Sequence, residues 1–182
     1  MDEIHDALQR ADQEAFTKAP PKTLKGQLNF LRKHLSAKEI GQGAGVTGDS
    51  VNRYRRGVRH PSPDVAAKIE AMVRERWQPG VRRSRRKQAA SAGIKVETRA
   101  SFGYRAAGGS TDEPRMRRVT VELPAHHARL LFDAQDSGAN DQKLREIVAD
   151  GIREVYFQDG GRRARDLNEV ELKSIDYLDI EY

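Results

Sequence analysis

The stretch GQGAGVTGDSVNRYRRG, residues 41–57, decides how the chain is read. Gly43, Gly45 and Gly48 spell G-x-G-x-x-G, and Asp64 follows about 20 residues after the middle glycine, as a dinucleotide-binding fingerprint asks. Such a loop must follow a strand and open a long helix of a parallel sheet, because its backbone N–H groups and the helix end cradle a pyrophosphate. Here the preceding residues, LNFLRKHLSAKEI (28–40), have helical spacing and high charge, and no alternating strand–helix–strand series follows. Asp64 has a sufficient local role as a first-turn acid in a helix begun by Ser62 and Pro63. The cofactor reading fails on context.

The alternative is two short helices joined by a tight turn. Ser36 and Glu39 form an S-x-x-E capping box that starts a helix with Ile40 and Ala44 inward. Gly45 supplies a residue that tolerates positive φ in the turn, Val46 packs beneath it, and Thr47 caps a second helix that buries Val51 and Tyr54. Gly41, where such motifs often carry alanine, and Gly43 each weaken helix propensity by about 1 kcal/mol. Cap, turn, apolar spacing and a basic second helix nonetheless agree on a helix-turn-helix over 37–56. The surface of that second helix then faces nucleic acid. Thr47, Ser50, Asn52, Arg53, Arg55 and Arg56 are its candidate DNA contacts, since Arg pairs bidentately with guanine and Asn with adenine. Arg59 is a candidate phosphate contact.

Outward from this unit, Ile4, Leu8, Ala11 and Ala15 recur at helical spacing, and Leu24, Leu28, Leu31 and Leu35 line another helix. Val65, Ile69, Met72, Val73 and Trp77 form the stripe of the helix after Ser62. A helical DNA-binding domain is therefore expected over 1–78. Residues 79–93, PGVRRSRRKQAASAG, lack periodicity and read as a basic linker. Its Arg82, Arg83, Arg85, Arg86 and Lys87 are candidate phosphate contacts; a merely solvated linker is the alternative.

The period then changes to two. Ile94 to Tyr104 alternates apolar and polar as a strand, AAGGSTDEP reads as a turn-rich loop, and RRVTVELP alternates again. Two helices follow, over 125–136 and 142–157. The second strand and these helices resemble a ribbon-helix-helix unit with Arg118, Thr120 and Glu122 toward DNA; a β-hairpin covered by two helices is the alternative. So small an apolar face favours a partner, such as a second copy. Residues 94–158 form this second region, and 159–182 read as an acidic tail whose Ile175, Tyr177, Leu178, Ile180 and Tyr182 could dock. The fold class expected is α+β, mainly α.

Charge is unevenly placed within the net +6: residues 1–118 hold 25 basic and 13 acidic groups, residues 119–182 hold 8 and 14. A basic body with an acidic end suits a nucleic-acid binder. Absence of cysteine excludes disulfides and thiolate zinc sites. No run of 18 apolar residues marks a membrane span, and MDEIHDALQRADQEAF is not signal-like, so a cytoplasmic, nucleoid-associated protein without membrane contact is expected. His126 and His127 are adjacent, which points them about 100° apart on a helix, so no metal site is expected. No catalytic constellation stands out.

Over nearly its whole length the chain resembles one family, the telomere-protecting terminal proteins of linear bacterial chromosomes and plasmids. The resemblance is carried by MDEIHDALQRADQEAFTKAPPKTLKGQLNFLRK, VTGDSVNRYRRG and GGSTDEPRMRRVTVELP. It implies a protein primer: a hydroxyl of the chain is joined to the first 5′ nucleotide and remains as a cap on the DNA end. The chain would then be a substrate, not an enzyme, and would bind no cofactor of its own. The dNTP and divalent metal ions would act in a partner DNA polymerase. DNA ends, a telomere-associated protein and the polymerase are the implied partners. The resemblance points to a threonine, and Thr111 is the first choice, with Ser110 second and Thr120 third. Gly108 and Gly109 would give reach. A helix-turn-helix transcriptional regulator with a C-terminal dimerisation unit is the rival reading.

Overall fold

A computed structural model describes residues 2–106 and 111–182, and it divides the chain into two compact units. One, the helical unit, is Phe16–Val81; the other, the sheet unit, joins the residues up to Ala15 to Arg82–Tyr182. The architecture is mainly helical with one three-stranded antiparallel sheet, the α+β class expected.

The N-terminal helix α1 (Glu3–Glu14) belongs to the sheet unit. This corrects the expected 1–78 domain. Its buried stripe, Ile4, Ala7, Leu8 and Ala11, joins the sheet core, and Asp141 accepts hydrogen bonds from the N–H groups of Ile4 (3.0 Å) and His5 (2.9 Å). A carboxylate on two orphan N–H groups of a helix start is a cap supplied from 137 residues away. An amphipathic stripe says that a helix is buried, not against which core.

The helical unit contains α2 (Leu24–Leu31), α3 (Ala37–Ala44), α4 (Gly48–Arg56) and α5 (Pro63–Arg76). Each start carries the side-chain cap its sequence announces: Thr23, Ser36 with Glu39 as a full capping box, Thr47, and Ser62 with proline in the first turn. Leu28, Leu31, Ile40, Ala44, Val51, Tyr54, Ile69 and Val73 are buried together. Trp77 donates its indole N–H to the Lys18 carbonyl (2.8 Å), and Thr17 and Gln78 exchange two hydrogen bonds, so the unit's two chain ends are laced together.

The expected linker is instead a helix, α6 (Pro79–Ala92), which begins in the helical unit and continues from Arg82 in the sheet unit. Proline at its first position needs no N–H there, and Arg and Ala favour helix throughout. It gives the sheet core Ala89 and Ala90, with Arg86 bonded to Asp12, too small a stripe for periodicity to register.

The sheet runs β2-β1-β3, with β1 (Ile94–Ala106), β2 (Thr111–Leu123) and β3 (Leu167–Glu181), every pair antiparallel. One face of it, with Val96, Phe102, Val119, Val121, Leu172 and Leu178, is buried with α1, α7 (Ala125–Asp136) and α8 (Asp141–Ile152) in a single core. The hairpin alternative is thus the arrangement found: β2 pairs with β1 of its own chain. The strand also starts earlier than expected, since Thr111 pairs with Arg105 and Asp112 with Tyr104. The expected acidic tail is the third strand. Its apolar residues occur at both parities, Val170, Leu172, Leu178 and Ile180 against Ile175 and Tyr177, and the register shifts beside it absorb the mismatch. Among the described residues no helix is long and apolar enough to cross a membrane.

Candidate nucleic-acid interface

Two glycines shape the turn before α4. Gly45 has φ 74°, the left-handed conformation that ends α3, and its N–H bonds back to that helix. Gly41 allows a close approach: a Cβ there would lie 2.6 Å from the Val46 carbonyl oxygen. The apparent departure from alanine at 41 therefore matches the tightness of this turn. Gly43 lies inside α3 and Gly48 begins α4. Among the described residues no strand precedes them, so the glycine spacing builds a helical turn.

The expected DNA-contact residues of α4 differ in how free they are. Thr47 and Ser50 sit at its start and engage each other, the Thr47 hydroxyl accepting from the Ser50 N–H (3.2 Å) with the two hydroxyls 3.0 Å apart. Asn52 and Arg55 are half-buried. Arg53 pairs with Asp49 at 2.9 Å with both groups more than half exposed, a contact worth under about 1 kcal/mol and easily exchanged for a phosphate. Arg56 is exposed, with one long bond from its Nε to the Asn52 carbonyl (3.4 Å). Gly57, φ 75°, ends α4, and Val58, Arg59 and His60 follow fully on the surface. α4 thus presents Arg53 and Arg56 outward while Val51 and Tyr54 anchor it.

Within the basic cluster the structure separates one residue from the rest. Arg83, Arg85 and Lys87 are exposed on α6, and Arg82 is half-buried. Arg86 is turned into the sheet unit, where Asp12 takes two of its N–H groups (3.0 and 2.6 Å), Asp136 a third (2.9 Å) and Gln135 a fourth (2.6 Å), beneath the Phe132 ring. Burial opposes its charge, but Asp12 outweighs this and holds the guanidinium protonated above its ordinary range. Arg86 is therefore a structural ion-pair residue and not a phosphate contact, a correction to its place in the cluster. Sequence offered no sign of this, because its partners lie 74 and about 50 residues away.

Arg118, Thr120 and Glu122 are exposed on β2 and alternate with buried Val119, Val121 and Leu123. Arg118 is paired with Glu97 on β1 (2.5 Å), to which Tyr177 of β3 also donates (3.0 Å). The Arg118 bond, then that of Tyr177, holds Glu97 below the usual carboxylate range. Thr120 sits mid-strand opposite Glu97, whereas Thr111 is the first residue of β2. Ser110, Gly108 and Gly109 lie outside the described residues.

His126 and His127 open α7, and both aim Nε2 at one oxygen of Glu154, at 3.2 and 2.9 Å. Glu154 comes from a π-helical turn, Arg153–Phe157, that continues α8. The His127 bond, opposed by burial and reinforced by His126, holds Glu154 below its ordinary range. The third member of this cluster is 27 residues downstream, on a widened turn that no sequence pattern announces.

No family model matches the chain, and no curated protein matches it either.

Proposed function

We propose that this chain is a DNA-binding terminal protein that caps the telomeres of a linear replicon and primes terminal DNA synthesis. The observation that carries its DNA-binding part is the α3–Gly45–α4 unit, with Arg53 and Arg56 outward on a short helix whose apolar face is anchored. Exposed Arg59, Arg83, Arg85 and Lys87 add phosphate-binding charge. The priming part is supported by the sequence resemblance, and by Thr111 standing at one end of β2 rather than mid-strand as Thr120 does.

In this reading the Thr111 hydroxyl attacks the α-phosphorus of a dNTP. The Oγ–P bond forms, the α–β phosphoanhydride bond breaks, pyrophosphate leaves, and the hydroxyl proton passes to a base of the polymerase. Metal ions held by the polymerase stabilise the charge. The chain contributes the nucleophile and the DNA contacts and does not catalyse. A telomere-associated protein, the polymerase and a second copy of the chain are the proposed partners, at the nucleoid.

The test is covalent. Protein purified from cells and treated with nuclease should carry a nucleotide on the peptide that contains Thr111, read by mass spectrometry. Thr111→Ala should abolish polymerase-dependent labelling while leaving DNA binding intact. Undiminished labelling would reject Thr111, and an unmodified chain from cells would favour a helix-turn-helix regulator.

A further inference from the structure

The His126, His127 and Glu154 cluster plays no part in the priming reading, and its chemistry is of another kind. We propose that it binds one zinc-class divalent cation through three protein donors, with water in the fourth position. Two imidazole nitrogens and a carboxylate oxygen are the borderline donors such ions select, and two His with one Glu leave a tetrahedral site open on one side.

Spacing, backbone, charge and access converge on this. The three donor atoms lie within 4.8 Å of one another, with two of the separations at 3.2 and 2.9 Å. Donors on a tetrahedral zinc ion stand about 3.3 Å apart, so an ion fits with little movement. Adjacent helix residues ordinarily diverge, yet these two rings have centroids 4.1 Å apart and turn their Nε2 atoms to the same oxygen. Both imidazoles thus present a ring nitrogen to one carboxylate that is 40% exposed.

The backbone is also shaped for the cluster. A Cβ at Gly151 would stand 3.2 Å from the His127 ring and 3.0 Å from Leu123, so glycine there lets α8 approach the imidazole. The π-turn that follows carries Glu154. π-turns inside helices recur at functional sites.

Charge and access fit as well. Among the described residues Glu154 pairs with the two imidazoles and with no Lys or Arg; nearby Arg153 is held by Asp150 and Gln158. Glu154 brings a carboxylate to the cluster, which suits a dication. His126 is 48% exposed and Glu154 40%, so an ion can enter and keep a water, while buried His127 fixes the inner wall. The Nδ1 of His127 is buried without a protein partner, so no acceptor reinforces that ligand. This lowers affinity by about 10- to 100-fold relative to a fully supported site.

The test uses the full-length protein freed of metal by a chelator. Calorimetric titration with Zn²⁺ should show one saturable site, and Co²⁺ should give the intense visible bands of a four- or five-coordinate centre. Glu154→Gln, which keeps the shape, and His126→Ala, at an exposed position, should each weaken binding ~10-fold or more. His60→Ala, on an exposed loop of the helical unit, should leave it unchanged. Circular dichroism checks that each variant folds, and the isosteric Glu154→Gln decides the matter if His126→Ala does not. Failure of the wild type to take up one equivalent, or Glu154→Gln binding as tightly as wild type, would overturn the site. Neither result bears on Thr111 or on DNA binding.

Discussion

The two units of this protein are built on opposite plans. The helical unit is one continuous stretch, Phe16–Val81, whose helix starts are capped by their own neighbours. The sheet unit is assembled from both ends of the chain. Its first helix is capped by Asp141, its Arg86 is neutralised by Asp12, and its middle strand pairs with residues about 80 positions away. Local order supplies a small domain able to present a short helix. Distant closure supplies the larger core that carries Thr111 and the His126–His127–Glu154 cluster.

The largest expected effect falls on the sheet unit. Asp12→Ala would leave Arg86 in a largely buried position with its main partner gone, and should destabilise that unit by about 3 kcal/mol. Denaturant unfolding followed by hydrogen exchange should show the loss in β1 and α7 and none in α3 or α4. A loss shared equally by both units would break the comparison. Gly41→Ala should act on the other side. Its Cβ would meet backbone at 2.6 Å, so the turn before α4 must open, at a cost of about 2 kcal/mol confined to the helical unit. On the proposed function, DNA affinity should fall with it.

Arg56→Ala should leave both units stable. On the proposed function it should weaken DNA binding across sequences and reduce the slope of log affinity against log salt by about 1 if the side chain neutralises a phosphate. Fluorescence anisotropy at several salt concentrations reads this; Arg86→Lys should leave the slope alone.

The smallest effect is a pH dependence peculiar to the sheet unit. Tyr182 donates to Asp12 (2.5 Å), and burial, then the Asp12 charge, raises its phenol well above the ordinary range. An unfolded chain releases that proton near about pH 10, so the contribution is complete below that pH and lost as pH rises beyond it. Tyr182→Phe should flatten the alkaline limb of the unit's stability curve, and an unchanged limb would reject the assignment.

How much was legible follows from the same contrast. Ser36, Thr47 and Ser62 announced helix starts because a cap acts within three residues. Gly45 announced the turn because only its φ requirement mattered. Alternation announced β1 and β2 as strands, and their pairing is the hairpin that stood as the alternative. Other features stayed hidden. Helix α6 shows too few apolar residues to look amphipathic, and β3 breaks its alternation at bulges and carries five acidic groups, Glu169, Glu171, Asp176, Asp179 and Glu181, on exposed positions. Of the candidate contacts, Arg53 and Arg56 are outward, whereas Arg86 looked in sequence like its four basic neighbours.

By itself, then, the sequence determined the helix-turn-helix, its caps, its outward arginines and the two-residue period of β1 and β2, since each depends on residues within a turn or a strand of one another. Only the tertiary structure decided that α1 closes the sheet core, that the acidic end is a strand, that Arg86 faces inward, and that Glu154 meets two histidines. Those outcomes depend on which distant surfaces share a core, and neither periodicity nor charge encodes that pairing.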